Sequence, residues 1–515
     1  MNQYTLWCII YTSFGAFFYG YDSGLTTSII AYPEFIGYFD FNATTLGALG
    51  SVYYAGIFLG AMSNAWLPDK FGRRRVVQAA CVICLLGAGM QTGAPNLGVL
   101  LGGRAIGGVA NGLVWSLCPL YASEISPPHV RGRVGGLYNV NINASYALSE
   151  WMGVGFSYIT GGDLKWRIFL GLQILPPLVM LVGAIWMPES PRWLISKDRH
   201  DEALVILQKL HGDSVQAPGP KALRGLEDDV AGSGVPFYQR EFNQIKSQIQ
   251  YEQRNPQLGI VAIMSRPTYR RRLYIIMFFF MFQMLTAIIP LQNYQVLLYQ
   301  ALGFDGRMPL ILVGVWGTTA LIVGIVGMYF FDRLGRRKSF FISISIILLG
   351  SVLLAIFWAR FELSGNTSRP LGILAMLSMF VFLCGYGWIM NAFGYTYAPE
   401  ILPMEIRATG MALGYGGKTA LTIMLVQVTP IAIRDISWRY FMIFIFMDVI
   451  FLVGFYFFFP ETANVPLEEV AAIFGDRVVV TLDGDMKLAE ESTKETEPDV
   501  PATVKDGADH IENKQ

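Results

Sequence analysis

Twelve predominantly apolar stretches, each long enough to cross a bilayer as a helix, alternate along this chain with polar connections. They cover residues 6–30, 46–67, 76–93, 97–121, 137–159, 168–187, 273–300, 310–331, 339–358, 371–397, 410–433 and 440–459. A span needs about 20 such residues to match a hydrocarbon core of roughly 30 Å. No water is available there to satisfy backbone groups, so stretches of this length must be helical. The expectation is an all-α membrane protein. Composition agrees: charged residues are 15% of 515, too few to clothe a soluble protein of this size. The first stretch, Leu6–Ile30, is too long for a signal-peptide core and lacks a basic leader, so it reads as a retained span.

Lysine and arginine in the short connections orient the spans. Asp69 to Arg75 joins spans 2 and 3, and Asp332 to Lys338 joins spans 8 and 9. Arg131 and Arg133 lie between spans 4 and 5, and Arg270, Arg271 and Arg272 precede span 7. Twelve spans put all of these on one side, expected to be cytoplasmic, together with both termini. The opposite connections carry the glycosylation sequons at Asn42 and Asn366, which suits an exterior face and a plasma-membrane protein.

The chain also repeats itself. Asp69-x-x-Gly-Arg-Arg74 recurs as Asp332-x-x-Gly-Arg-Arg337. Tyr121-Ala-Ser-Glu124 through Arg131 recurs as Tyr397-Ala-Pro-Glu400 through Arg407. Trp166-Arg167 recurs as Trp438-Arg439, and Pro188-Glu189 as Pro460-Glu461. Paired motifs in one order mark two six-helix halves. The expected organisation is a first half over 1–187, a cytoplasmic linker with short helices over 188–272, a second half over 273–475 and an acidic tail over 476–515. That tail holds eleven acids and five bases and reads as disordered. A duplicated bundle of this kind places a substrate site between its halves and alternates access by rocking them. The acids and arginines at the cytoplasmic ends are candidate gating groups: Asp69, Arg73, Arg74, Glu124, Arg131, Glu189 and Arg192, with Asp332, Arg336, Arg337, Glu400, Arg407 and Glu461. Ion pairs among them would hold the inward side shut and break during each cycle.

Several classes drop out. Net charge is zero, which offers no field for nucleic acid. The five cysteines fall in apolar stretches, and with four histidines they form no metal-ligand pattern. No nucleotide-binding loop or catalytic triad is present, so neither an enzyme nor a cofactor is expected. Gly107 to Gly112 sits inside an apolar span, where small residues let helices approach.

The repeated motifs, with Gly20-Tyr21-Asp22, Gly103-Arg104 and Pro188-Glu-Ser-Pro-Arg-Trp-Leu194, resemble the sugar-porter set of the major facilitator superfamily over residues 6–476. The closing Pro460-Glu-Thr resembles fungal members. The resemblance implies the twelve-helix facilitator fold, a monomer, and transport of a sugar or sugar-like molecule, with proton symport. A carboxylate inside a span is costly by roughly 2.5–3.5 kcal/mol, so Asp22 needs a partner. The resemblance implies Arg131, and the pair carries either proton coupling or a permanent structural bridge.

The pocket departs from the family. The span 7 pattern of two glutamines and an asparagine reads Gln283, Met284 and Ile289 here. Asn139 stands at the span 5 glutamine, Tyr395 at the span 10 tryptophan, and Lys418-Thr419 at the span 11 Asn-Trp pair. A hydroxyl left without a partner weakens binding, so the hexose pocket is altered. Asn139, Asn143, Tyr146 and Glu150 share one helical face. Lys418 is placed either to hold a carboxylate ligand or to pair with Glu150 or Asp448. Pro290 is expected to kink span 7. The alternatives to a sugar symporter are a carrier of an organic acid or secondary metabolite, and a nutrient receptor that does not transport.

Overall fold

The computed structural model describes residues 3–126, 131–159, 162–211, 236–254, 260–390, 393–394, 397–398, 401–461 and 474. Residues 1–463 form one compact unit. A second unit, 464–515, is described only at Phe474, so the expected acidic tail lies outside the described residues.

Among the described residues the chain is helical without strands. The first half runs α1 (Gln3–Ile29), α2 (Pro33–Phe39), α3 (Ala43–Ser63), α4 (Leu67–Phe71), α5 (Arg73–Thr92), α6 (Leu97–Ile125) and α7 (Arg131–Phe156). Its sixth crossing is α8 (Asp163–Gly171), a 3-10 turn at Leu172–Ile174, and α9 (Leu175–Gly183). The connection holds α10 (Pro191–Ser196), α11 (His200–His211), α12 (Phe237–Arg254) and α13 (Ile260–Ser265). The second half is α14 (Pro267–Met284), α15 (Ile288–Asn293), α16 (Gln295–Ala301), α17 (Met308–Leu334), α18 (Arg336–Leu363), α19 (Arg369–Gly385), α20 (Met404–Ile436) and α21 (Arg439–Phe458).

Nine segments among the described residues are long and apolar enough to cross a membrane. The three remaining expected crossings are α1, α7 and α14–α16, which carry more polar groups. In α1 those groups turn inward: Thr12, Ser13, Asp22, Ser23 and Thr27 are all buried. The outer faces are apolar instead, with Leu59, Leu86, Phe446 and Phe457 exposed as a lipid-facing surface requires.

Helix starts follow local chemistry. Asn42 caps α3 by accepting from Thr45 N, and Asn96 caps α6 by accepting from Val99 N. Packing within the first half rests on small residues, since lipid is as apolar as any side chain and contact must come from close approach. A side chain at Gly56 or Gly60 of α3 would strike the backbone of α6 at Ala105 or Val109. Gly108 and Gly112 face α3 in the same way, as their place in an apolar span suggested. The second half is packed with rings around α14, α18 and α21. Phe340 and Phe455 stack at 3.6 Å between centroids, with Phe279, Phe393 and Phe451 around them.

Span 7 breaks earlier than Pro290. Ala287 has φ +66°, and α15 begins after it. Pro290 then falls in the first turn of α15, where its missing N–H costs nothing. The chain is redirected at this break, three residues before Pro290.

The two halves are bonded at the end that carries α2. Ser51 Oγ donates to Gln427 Oε1 at 2.7 Å, and Gln427 Nε2 donates to Thr44 O at 3.0 Å. Tyr294 OH binds Val426 O at 2.8 Å within the second half, bracing the same seam. Gly47 sits so near Gln427 that a Cβ would lie 2.6 Å from its carbonyl oxygen.

Candidate functional site

Asp22 lies in α1, 4% exposed. Arg104 Nη1 of α6 donates to its Oδ1 at 2.9 Å, and Asn111 Nδ2 donates to its Oδ2 at 2.9 Å. The Arg104 guanidinium also lies over the Tyr53 ring of α3, 4.0 Å from the centroid. Both carboxylate oxygens are thus occupied by α6, in a buried cluster drawn from three helices. This corrects the expected pairing with Arg131. Gly20 and Gly24 of α1 face Ser145 and Ser149 of α7, a register that sets Asp22 level with Ala147. Arg131 opens α7 sixteen residues before Ala147, about 24 Å away along the axis at 1.5 Å per residue. Its side chain lies outside the described residues. Arg104 was visible as a lone cation inside an apolar span, and such a charge needs an opposite partner. Asn111 gave no comparable signal.

A second polar group sits midway through the other half. Gln283, near the end of α14, donates from Nε2 to Met390 O at 2.9 Å and accepts at Oε1 from Lys418 Nζ of α20 at 3.2 Å. Lys418 is thus bonded to Gln283, and neither expected acid is its hydrogen-bond partner. Glu150 is buried on α7 against Gly317 of α17, and Asp448 is buried on α21 beside Ser351, 3.3 Å from its hydroxyl. One turn beyond the helix break, Asn293 accepts from Tyr54 OH of α3 at 3.3 Å and so bridges the halves. Asn293 and Tyr54 were not singled out from the sequence. Asn293 lies four residues past Ile289, the position of the family pattern's asparagine.

The polar stripe of α7 divides in space. Asn143 and Glu150 face α17, at Gly324 and Gly317, whereas Tyr146 packs on Gly24 of α1. Trp151 Nε1 donates to Thr318 Oγ1 at 2.8 Å in the same contact between halves. Asn139 lies on α7 towards its start. Tyr395 lies outside the described residues.

At the basic end the sequence repeat becomes a repeat of contacts. In the first half Glu189 Oε1 accepts from Arg73 N at 2.8 Å and Arg74 N at 3.2 Å. In the second, Glu461 accepts from Arg336 N and Arg337 N, both at 2.9 Å. Each glutamate thereby occupies a helix N-terminus, where orphan N–H groups and the helix dipole favour a negative charge. Tyr121 OH donates to Pro188 O, and Tyr397 OH to Pro460 O. Gly72 and Gly335 hold φ of +94° and +83°, which only glycine adopts readily. The Arg73 guanidinium is shared between Asp69 at 2.9 Å and a two-pronged contact with Glu124 at 3.1 Å. These two pairings of Arg73 lie inside the first half. Arg192 lies on α10, and Arg407 Nε donates to Leu402 O at 3.2 Å. Glu400 and the Asp332 side chain lie outside the described residues. Asn42 and Asn366 are exposed, on the caps or turns beside α3 and α18.

A bundle with a buried Asp22–Arg104 cluster, a part-buried Lys418–Gln283 pair and a seam between repeated halves has the architecture of a facilitator-type carrier. The chain belongs to the sugar (and other) transporter family of the major facilitator superfamily, whose family model matches residues 7–474. It is similar to the MFS-type transporter criB of Aspergillus cristatus, 27% identical over 474 residues, covering 92% of this chain and 94% of that one. It is also similar to a high-affinity glucose transporter of Kluyveromyces lactis, 26% identical over 487 residues, covering 89% and 83%. Among solved structures it resembles the proton:xylose symporter XylE bound to 6-bromo-6-deoxy-D-glucose, with TM-score 0.70 and 19% identity over 92% of this chain and 99% of that one. The twelve-helix facilitator fold expected from the sequence therefore stands, and the protein is a multi-pass membrane transporter.

Proposed function

We propose that the chain moves a sugar or sugar-like small molecule across the membrane by alternating access, in symport with protons. The observation that carries this reading is the buried Asp22–Arg104–Asn111 cluster. An ionisable side chain buried inside a span and held by an arginine and an amide is the kind of group that marks proton pathways in membrane carriers. Substrate would be met by Gln283, Asn293 and Tyr54, which supply amide and hydroxyl groups near the seam. The glucose and xylose transporters among its relatives and structural neighbours support the substrate class. The basic end would face the cytoplasm, since its loops hold the clustered arginines, and the plasma membrane is the proposed location. The protein would act as a monomer, with Asn42 and Asn366 as glycan acceptors.

One observation favours a second reading, a carrier of organic acids: Lys418 places an ammonium group in the middle of the second half. The discriminating experiment is uptake of radiolabelled hexoses and sugar acids into transporter-deficient yeast, with and without a protonophore. Accumulation of hexose that collapses with the protonophore supports the leading reading. Acid uptake without hexose uptake replaces it with the second, and surface expression without uptake of either favours a receptor.

A further inference from the structure

Two cavities meet at the basic end of the first half, away from the seam between halves. One is a cleft of about 580 Å³ whose wall carries Arg74, Arg75, Gln78 and Lys209 beside apolar Val205 and Ile206. The other is a groove of about 830 Å³ between α1 and α9, lined by Trp7, Ile10, Phe14, Val179 and Val182. Tyr4 and Trp186 belong to both, and Tyr4 OH donates to Trp186 O where they join. The groove opens outward: Val179 is 56% exposed and Trp186 62%.

We propose that this joined cavity binds one anionic phospholipid, with its phosphate in the cleft and an acyl chain along the groove. Charge argues for the headgroup. The acids on the cleft wall are answered by neighbouring donors: Glu189 by the backbone of Arg73 and Arg74, and Glu202 by Arg199 at 2.8 Å. Four cations, Arg74, Arg75, Arg199 and Lys209, stand on this wall against the two acids, so the cleft is net positive. Basic pockets beside membrane helices favour anionic headgroups.

Depth argues for the chain. Trp7 stacks on both Tyr4 and Tyr11, and Lys209 Nζ lies 4.3 Å from the centre of the Tyr4 ring. Aromatic side chains of this kind sit at headgroup level, and lysine stems reach toward the interface. The same ladder, Tyr4, Trp7 and Tyr11, forms one wall of the apolar groove. A soluble anion would use the cleft and leave the groove unfilled; a neutral lipid would fill the groove without using the cations.

The test is native mass spectrometry of the full chain, released in mild detergent from an equimolar mixture of phosphatidylserine and phosphatidylcholine. One phosphatidylserine should be retained at least fivefold over phosphatidylcholine. The double variant Arg75→Gln with Lys209→Gln should lose that preference. Val182→Trp, which fills the groove and keeps the cations, should lose the bound lipid. Inorganic phosphate at millimolar concentration should leave the lipid in place. Equal retention of the two lipids by the wild type overturns the proposal without reference to any variant. So does displacement by phosphate, or an undiminished preference in a folded double variant.

Discussion

Lys418 of α20 and Gln283 of α14 share a hydrogen bond of 3.2 Å, which ties the one lysine of span 11 to the one glutamine retained from the family's span 7 pattern. Gln283 is in turn fixed by Met390 O, so its amide orientation is set from both ends. Substituting the lysine therefore disturbs the glutamine as well. Lys418→Ala should raise the KM for a neutral hexose by about threefold to tenfold, since about 1.4 kcal/mol corresponds to a factor of ten. A loss confined to sugar acids would assign the ammonium to the ligand directly. Paired uptake kinetics for one hexose and its acid measure the difference.

Asp22→Asn removes the ionisable group of the α1–α6 cluster and retains its shape. Concentrative uptake should fall to the equilibrium ratio, while exchange of labelled for unlabelled substrate stays within about twofold. Accumulation that still responds to a protonophore would move coupling to another residue. Arg104→Ala should behave differently, because it leaves a buried carboxylate without its cation. Breaking a buried pair from one side costs about 3–5 kcal/mol, so this variant should lose thermal stability as well as transport.

Gly72 and Gly335 occupy matching turns, but their surroundings differ. A Cβ at Gly72 would lie 2.5 Å from Glu189 Oε2, and one at Gly335 would lie 3.3 Å from Glu461 Oε2. Both alanine variants carry the backbone penalty of about 1–3 kcal/mol for this conformation. Gly72→Ala should melt lower than Gly335→Ala in a thiol-reporter melt of detergent-solubilised protein. The reverse order would mean that Glu189 moves aside freely.

Gly47→Leu should hold the halves apart at the α2 end, because the larger side chain meets the Gln427 backbone. Cysteine introduced near Thr44 should then become accessible from that side, and turnover should fall at least tenfold. Unchanged labelling would show that the seam closes around the leucine.

Much of this architecture is legible in the sequence. Apolar length marked the crossings, and the recurrence of Asp-x-x-Gly-Arg-Arg and Pro-Glu marked the halves, because turn chemistry and helix capping are local. Relations between helices were harder to read. Register decides that Asp22 meets Arg104, and one helix's pattern holds no record of its neighbour's axial offset. The same limit applies to the α7 stripe: a shared helical face at Asn143, Tyr146 and Glu150 spans more than one neighbouring helix. At Ala287 a non-glycine residue takes a left-handed conformation, which drew no attention beside the conspicuous Pro290.

Glu189 and Glu461 each fasten a helix start within their own half. Rocking one half against the other can leave both fastenings intact, so rigidity and mobility are assigned to different sets of bonds. Turnover would then follow the seam contacts, such as Ser51 with Gln427, and the stability of each bundle the bonds within it. Selection for faster or slower carriers can act on the seam without weakening the two bodies it separates.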